Sequence, residues 1–184
     1  GEATLGNAMH ETTRAQDQAF DPDRVSWSEA GHLQVDCPDD RFPCAVLARR
    51  AAQSLGFERG RVEAVAMVTC ELVQNAALHA GGGRFAVATA AELGLVRVEV
   101  IDRGQPFANL ENALLDDHDD RGAVLPEARS GRHGLGCGLG AVLRLANFVD
   151  FELADEQKRI SAVLRAEKNL HQPALTAFGG SVAE

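Results

Sequence analysis

Apolar residues recur at helical spacing in three parts of the chain. The clearest helix is predicted from about Glu58 to His79, where one face carries Val62, Val65, Thr69, Leu72, Val73 and Ala76. Glycines at 81–83 end it, because glycine tolerates the left-handed geometry that closes a helix. A second helix is predicted from Phe42 to Leu55, before Gly56. A third begins within the glycine-rich stretch around 134–140.

Alternating apolar and polar residues predict five strands. They are His32–Val35, Arg84–Ala90, Leu95–Asp102 and a hairpin of Phe148–Ala154 with Arg159–Ala166 around residues 155–158. In Leu95–Asp102 the alternation places Asp102 on the same side as Val96, Val98 and Val100. An acid at the end of a core-facing row is costly unless it is hydrogen-bonded. Asp102 is therefore either an acceptor for a ligand with amino groups or the start of a turn before Gly104.

Composition narrows the class of protein. The chain has 184 residues, 45% of them hydrophobic, which is enough for one domain with a sizeable core. The formal net charge of -9 argues against direct binding to nucleic acid or to an anionic membrane. Neither a membrane span nor a signal peptide is expected from the apolar runs. Cys37 and Cys44 lack a usual zinc spacing, and a reduced cytoplasmic protein is the simplest interpretation.

Two stretches carry candidate chemistry. Glu71 and Asn75 lie four residues apart in the main helix, on a face other than the apolar one. A carboxylate and a carboxamide placed so can hold a hard cation and place a proton acceptor beside it, or can simply form a solvated flank.

The second stretch is the alternating run of Gly134, Gly136, Gly138 and Gly140, which leads into a helix amino terminus. Exposed backbone N–H groups there favour phosphate, so the run is either a phosphate cradle or a hinge without a ligand. Gly136-x-Gly138-x-x-Ala141 also fits a dinucleotide fingerprint, but residues 127–133 before it are no buried strand, which argues against a Rossmann fold.

Three motifs in this order resemble the GHKL ATPases of the Bergerat fold: Glu71-x-x-x-Asn75, Asp102-x-Gly104 and the glycine run. The resemblance covers roughly residues 33–165. It implies an α/β fold, an α+β two-layer sandwich in which helices cover one face of a mixed, mostly antiparallel sheet beneath an ATP lid. The stretches 71–76 and 102–107 look like those of bacterial anti-sigma-factor serine/threonine kinases and switch kinases of the RsbW, RsbT and SpoIIAB type.

The resemblance also implies roles for these residues. Glu71 would be the general base that takes the proton of a substrate hydroxyl, and Asn75 would ligate Mg²⁺ on the ATP phosphates. Asp102 would accept the adenine amino group, and Gly104 would let the chain pass close to the base. Ser161 would supply a hydroxyl beside Asp102.

Further roles fall on the glycine-rich region. The phosphates would be wrapped by Gly134, Gly136, Gly138 and Gly140, with Leu139 among the cofactor-binding residues. The lid would span about residues 107–133, and either Arg129 or Arg132 would steady the γ-phosphate. The acidic cluster Asp116–Asp120 is no general feature of the family and would repel phosphates if the lid closed over them.

These inferences predict a flexible or partner-contact extension (1–24), a GHKL kinase domain (25–168) and a loose tail (169–184). The expected function is ATP- and Mg²⁺-dependent phosphorylation of a STAS-domain anti-anti-sigma protein, with sequestration of a sigma factor or another effector. Related kinases often form homodimers. The alternatives are the ATP-binding module of a histidine kinase and a non-catalytic, nucleotide-dependent protein-binding switch.

Overall fold

The structure, a computed structural model, describes residues 20–104, 118–119, 122–123, 138–167 and 175–180. Three helices are Arg41–Ser54 (α1), Arg59–Ala80 (α2) and Gly138–Leu145 (α3). Eight strands are Ser28–Val35 (β1), Gly83–Ala90 (β2), Leu95–Asp102 (β3), His118–Asp119 (β4), Gly122–Ala123 (β5), Phe148–Ala154 (β6), Gln157–Arg165 (β7) and Leu175–Gly180 (β8). All three predicted helices and all five predicted strands are therefore present.

The main sheet has six strands in the order β1-β2-β3-β7-β6-β8, while β4 and β5 form a separate two-residue ladder. Neighbours in the main sheet are antiparallel, except that β8 runs parallel to β6. The prediction of a mixed, mostly antiparallel sheet is confirmed.

All three helices share one hydrophobic core with one face of this sheet. The sheet side of that core includes alternate residues of β2, β3 and β7 that are at most 3% exposed: Phe85, Val87, Val96, Val98, Val100, Ile160, Ala162 and Leu164. Full burial of a large apolar side chain stabilises a fold by about 1.5–3 kcal/mol, so this row fixes the register of the strands. The predicted two-layer sandwich is confirmed.

The amino-terminal segment covers part of the other face. Phe20, Val25 and Trp27 pack against a small cluster formed by Ala90, Leu95, Phe148 and Val163. The rings of Phe20 and Phe148 meet edge to face with 5.6 Å between their centroids. The flexible or partner-contact extension at 1–24 stays a prediction, because residues 1–19 lie outside the described part of the chain and only its end, at Phe20, is seen to pack on the sheet.

The tail was expected to be loose, and this is wrong for Leu175–Gly180, which forms β8 beside β6. Without β8 the outer edge of β6 would leave a row of backbone N–H and C=O groups unpaired. Residues 168–174 and 181–184 lie outside the described residues.

The hairpin between β6 and β7 is tighter than predicted. Its turn is Asp155-Glu156, and both residues have positive φ, 51° and 61°. This geometry suits a two-residue hairpin, because its twist matches that of the strands. As a result β7 starts at Gln157, and Lys158 belongs to the strand rather than to the turn.

The end of α2 confirms the predicted role of the glycines. Gly81 is left-handed with φ of 70°, and the N–H of Gly82 donates to the carbonyl of Ala76. A side chain at Gly82 would place Cβ 2.3 Å from the carbonyl oxygen of Val35. The chain therefore turns sharply from α2 into β2 close to the end of β1.

Among the helices in the described part of the chain, none combines the length and the apolar character that a membrane span requires.

Candidate functional site

Glu71 and Asn75 lie on α2 one helical turn apart, and both are half-buried. Their neighbours Leu72, Val73 and Ala76 are at most 1% exposed and anchor the helix on the sheet. Because that apolar face fixes the rotation of α2, the carboxylate and the carboxamide emerge side by side at the margin of the core.

The backbone N–H of Gly138, the first residue of α3, lies close enough to the Glu71 carboxylate to act on its pKa. Burial raises the pKa of Glu71, while the charge of Arg41 and the N–H of Gly138 act in the opposite direction. The net shift is upward, towards the range in which a carboxylate becomes a better proton acceptor at neutral pH. The direction of this pKa shift is the one that a general base would need.

Arg41 is a neighbour of this site that the sequence did not indicate. It begins α1, and its Nη1 donates to Oε1 of the buried Gln74 at 3.0 Å. Only the packing of α1 against α2 brings it near Glu71, and a single arginine at a helix start carries no signal of such a contact. Its positive charge favours the ionised form of Glu71.

Asp102 ends β3 on the helix-facing side and is 4% exposed, as the alternation predicted. Its Oδ1 accepts a hydrogen bond from the N–H of Gly104 at 2.8 Å and lies 3.6 Å from Nζ of Lys158. Within the described part of the chain, both contacts fall on Oδ1. Oδ2 is therefore the oxygen that a ligand with an amino group can address.

Gly104 is required by the packing of the chain itself. A Cβ at this position would lie 2.6 Å from Cβ of Ala80, the last residue of α2. The missing side chain lets the loop after β3 rest against the end of α2. This close approach holds Asp102 near the helix that carries Glu71 and Asn75.

Ser161 does not lie beside Asp102, so the sequence prediction for this residue is wrong. In the register of the sheet Ser161 pairs with Glu99 and Asp150, whereas Asp102 pairs with Lys158. Successive strand residues point to opposite faces, so the three-residue offset puts Ser161 on the face away from the helices.

Lys158 occupies the place beside Asp102 that was assigned to Ser161. It begins the row that continues with the buried Ile160, Ala162 and Leu164. A lysine in register with an apolar strand row was the signal available in the sequence. The predicted four-residue turn includes residues 157 and 158 and therefore hides this signal.

The glycine run is described only from its third glycine. Gly138 has a positive φ of 55°, and Gly140 is buried in the first turn of α3. Leu139 packs in the main core, so only its backbone could contact a nucleotide. Gly134, Gly136, Arg129 and Arg132 lie outside the described residues. The same holds for the lid at 107–133, except for the backbone of β4 and β5.

These residues fit a magnesium nucleotide. The backbone N–H of Gly138 acts to lower the pKa of Glu71, so the amino terminus of α3 lies close to that carboxylate. Asn75 offers the kind of oxygen that Mg²⁺ prefers. Among the described residues there is no group of three or more His, Cys, Asp or Glu that could hold a metal. A nucleotide-bound Mg²⁺ needs only one or two protein oxygens besides the phosphates and water.

Comparison with known proteins adds three findings. A family model described as a histidine kinase-like ATPase domain matches residues 43–164, a range that contains Glu71, Asn75, Asp102 and the glycine run. No curated protein matches. The crystal structure of the RsbU and RsbW domains of Rv1364c from Mycobacterium tuberculosis is similar with a TM-score of 0.47 and 20% sequence identity. That similarity covers 79% of this chain and 34% of that chain.

Proposed function

Because the chain belongs to the histidine kinase-like ATPase family, we propose that it uses ATP as a serine/threonine protein kinase of the partner-switching type. The family membership accounts for an ATP-binding domain. The finer proposal concerns the acceptor of the phosphoryl group and the residue that activates it.

The observation that carries the proposal is the half-buried carboxylate of Glu71 at the amino terminus of α3. A negative charge beside the expected phosphates weakens nucleotide binding through like-charge repulsion. A protein that only binds ATP gains nothing from a carboxylate there. A kinase gains a proton acceptor within reach of a hydroxyl nucleophile, and a positioned base typically contributes 10²–10⁴-fold to the rate.

Each remaining residue has a part in the same arrangement. Asn75 would supply an oxygen ligand to Mg²⁺, which neutralises charge on the phosphates when bound. Asp102 would accept the amino group of adenine at Oδ2. The N–H groups of the glycine run, from Gly134 to Gly140, would bind the phosphates, and Arg132 would steady the γ-phosphate. Glu71 would take the proton of a serine or threonine hydroxyl as its oxygen accepts the phosphoryl group.

The proposed partners follow from the resemblance of residues 71–76 and 102–107 to anti-sigma kinases. A STAS-domain anti-anti-sigma protein would be the phosphoryl acceptor, and this chain would also bind and sequester a sigma factor or another effector. Related kinases often form homodimers, so self-association is included among the proposed contacts. The net charge of -9 agrees with protein partners and with no direct contact to nucleic acid or membrane.

Phosphoamino-acid analysis tests the proposal. The full chain is incubated with γ-labelled ATP, Mg²⁺ and a purified STAS-domain protein, with a reaction lacking that protein as the control. Label on a serine or threonine of the STAS protein is the expected result. Label on a histidine would instead assign the chain to histidine-kinase modules. Measurable ATP binding without transfer to the STAS protein would indicate a non-catalytic switch.

A further inference from the structure

Arg61, in the first turn of α2, makes three hydrogen bonds to segments that are distant in the sequence. Its Nη1 donates to the carbonyl of Leu145 at 3.1 Å, and its Nη2 donates to Oδ1 of Asn147 at 3.0 Å. Its Nε donates to the carbonyl of Arg165 at 3.0 Å. One guanidinium group therefore joins the start of α2 to the last residue of α3 and to the end of β7.

The bond to Leu145 satisfies a backbone group at the carboxyl end of α3. The last four carbonyl groups of a helix have no partner within the helix, and that end carries a partial negative charge. Arg61 is half-buried, and this burial lowers its pKa, but an arginine stays protonated at neutral pH. A positive charge and an N–H donor therefore both meet α3 where its backbone needs them.

Asn147 holds the chain directly after α3. Its Oδ1 accepts from Arg61 and also from the backbone N–H of Arg165 at 2.9 Å, and its own N–H donates to the carbonyl of Val163 at 2.8 Å. These bonds connect α2, the end of α3 and β7 in one polar network. An apolar residue at position 61 would remove the donors that tie this network to α2.

The opposite end of α3 lies at the candidate catalytic carboxylate. The N–H of Gly138 acts on the pKa of Glu71, which lies ten positions after Arg61 on α2. Ten helical residues span about 15 Å, so α3 runs antiparallel to α2 between two contacts. Because α3 has only eight residues and begins in the glycine run, its position along α2 sets where the N–H groups of that run lie relative to Glu71 and Asn75.

We propose that Arg61 is a positioning residue that holds α3, and with it the phosphate-binding N–H groups of the glycine run, in place against Asn75 and Glu71. This inference rests on the proposed ATP site. Arg61 contacts the end of α3 that lies away from the glycine run, so it acts on the phosphates only through that helix.

The adenine end of the site should not depend on Arg61. Asp102 pairs with Lys158 at the start of β7, roughly 23 Å along that strand from Arg165. A shift of α3 should therefore weaken the binding of the phosphates and leave the binding of the base unchanged. A residue that merely stabilised the fold would not separate the two.

The test compares the affinity of the full chain for ATP with Mg²⁺ and its affinity for adenosine, the latter measured by displacement of ATP. In Arg61→Met the affinity for ATP should fall roughly ten- to hundredfold, because misplaced N–H groups lose a hydrogen bond to a charged phosphate. The affinity for adenosine should keep its wild-type value. Arg61→Lys keeps the charge and can still reach one carbonyl, so its loss should be smaller. Arg59→Met is the control, since Arg59 is an exposed arginine in the same turn of α2, and both affinities should stay unchanged.

Three outcomes would overturn the inference. One is an Arg61→Met variant that binds ATP as tightly as the wild type. Another is an equal loss for ATP and adenosine, because damage to the whole fold would weaken both. The third is an equal loss for ATP in Arg59→Met, since a general effect of positive charge would then be the cause. If Arg61→Met does not fold, as judged by circular dichroism, the same comparison between Arg61→Lys and the wild type decides. A wild type that binds neither ligand would instead contradict the proposed function itself.

Discussion

The backbone N–H of Gly138 lies beside the carboxylate of Glu71, although 67 positions separate the two residues along the chain. The proximity joins the start of α3 to the carboxylate on α2. It brings the carboxylate motif into contact with the glycine run. The expected base therefore lies where a phosphate group would meet the orphan N–H groups of α3.

The pH dependence of catalysis should follow the ionisation of the Glu71 carboxylate. Burial raises the pKa of this residue, so kcat/KM for phosphotransfer should fall on the acid side at a pH above the ordinary glutamate range near 4.3. The base is active as a carboxylate, so activity is present above its pKa and lost as the pH falls through it. A pH–rate profile under subsaturating ATP measures this.

The charge of Arg41 lowers the pKa of Glu71, so Arg41→Met should move the acid limb further up in pH. Arg50→Met is the control, because Arg50 is an exposed arginine on the same helix. A limb that stays in place in Arg41→Met, or that moves equally in Arg50→Met, would contradict this account of the environment of Glu71.

Replacing Asp102 should affect stability as well as binding. Asp102→Asn removes the negative charge 3.6 Å from the buried Lys158, and breaking a buried ion pair typically costs about 3–5 kcal/mol of unfolding free energy. The double variant Asp102→Asn, Lys158→Met should regain much of this loss, because the ammonium group that lost its carboxylate is then removed as well. Urea unfolding measures the unfolding free energies of the single and double variants. Additive effects of the two substitutions would show that the two residues do not interact.

The double variant Asp102→Asn, Lys158→Met should not regain affinity for ATP, even though its stability recovers. Asp102→Asn removes the charged acceptor for the adenine amino group and should weaken ATP binding by about ten- to hundredfold. The double variant should remain at least as weak. Recovery of ATP affinity together with stability would place adenine elsewhere.

The contact between Gly104 and Ala80 predicts a compensating pair. Gly104→Ala forces Cβ to within 2.6 Å of the Ala80 side chain and should destabilise the fold by about 1–3 kcal/mol. Adding Ala80→Gly removes the clash, at a cost of up to about 1 kcal/mol for a glycine in the last turn of α2. Thermal unfolding should show the double variant to be more stable than the sum of the two single effects; an additive result would argue against this contact.

Local periodicity predicted most of the fold and part of the site. The 3.6-residue pattern of α2 was enough to place Glu71 and Asn75 on one face, and the two-residue pattern of β3 was enough to place Asp102 inside. Such patterns report which face of one element is buried. They do not report which residues of distant elements meet.

The errors in the predicted site arise because periodicity does not show which distant residues meet. The predicted hairpin turn of four residues has only two, so the predicted start of β7 is too late and Lys158 falls in the turn. The role of Ser161 comes from the resemblance alone, and the register of β7 against β3 contradicts it. Arg41 reaches the site only through the packing of two helices. Strand β8 forms because it pairs in parallel with β6. Along the chain β7 and part of the tail separate these two strands, so the six residues of β8 carry no local sequence signal of the pairing.

The most direct test of the central claim pairs two measurements on Glu71→Gln. This variant should lose phosphotransfer to the STAS-domain protein by 10²–10⁴-fold, because the proton acceptor is gone. Its affinity for ATP should be unchanged or higher, since a negative charge near the phosphates is removed. Glu63→Gln is the matched control, because Glu63 is an exposed glutamate of the same helix whose ion pair with Arg49 contributes at most about 1 kcal/mol. Full phosphotransfer by Glu71→Gln, or equal losses in both variants, would contradict the assignment of Glu71 as the base.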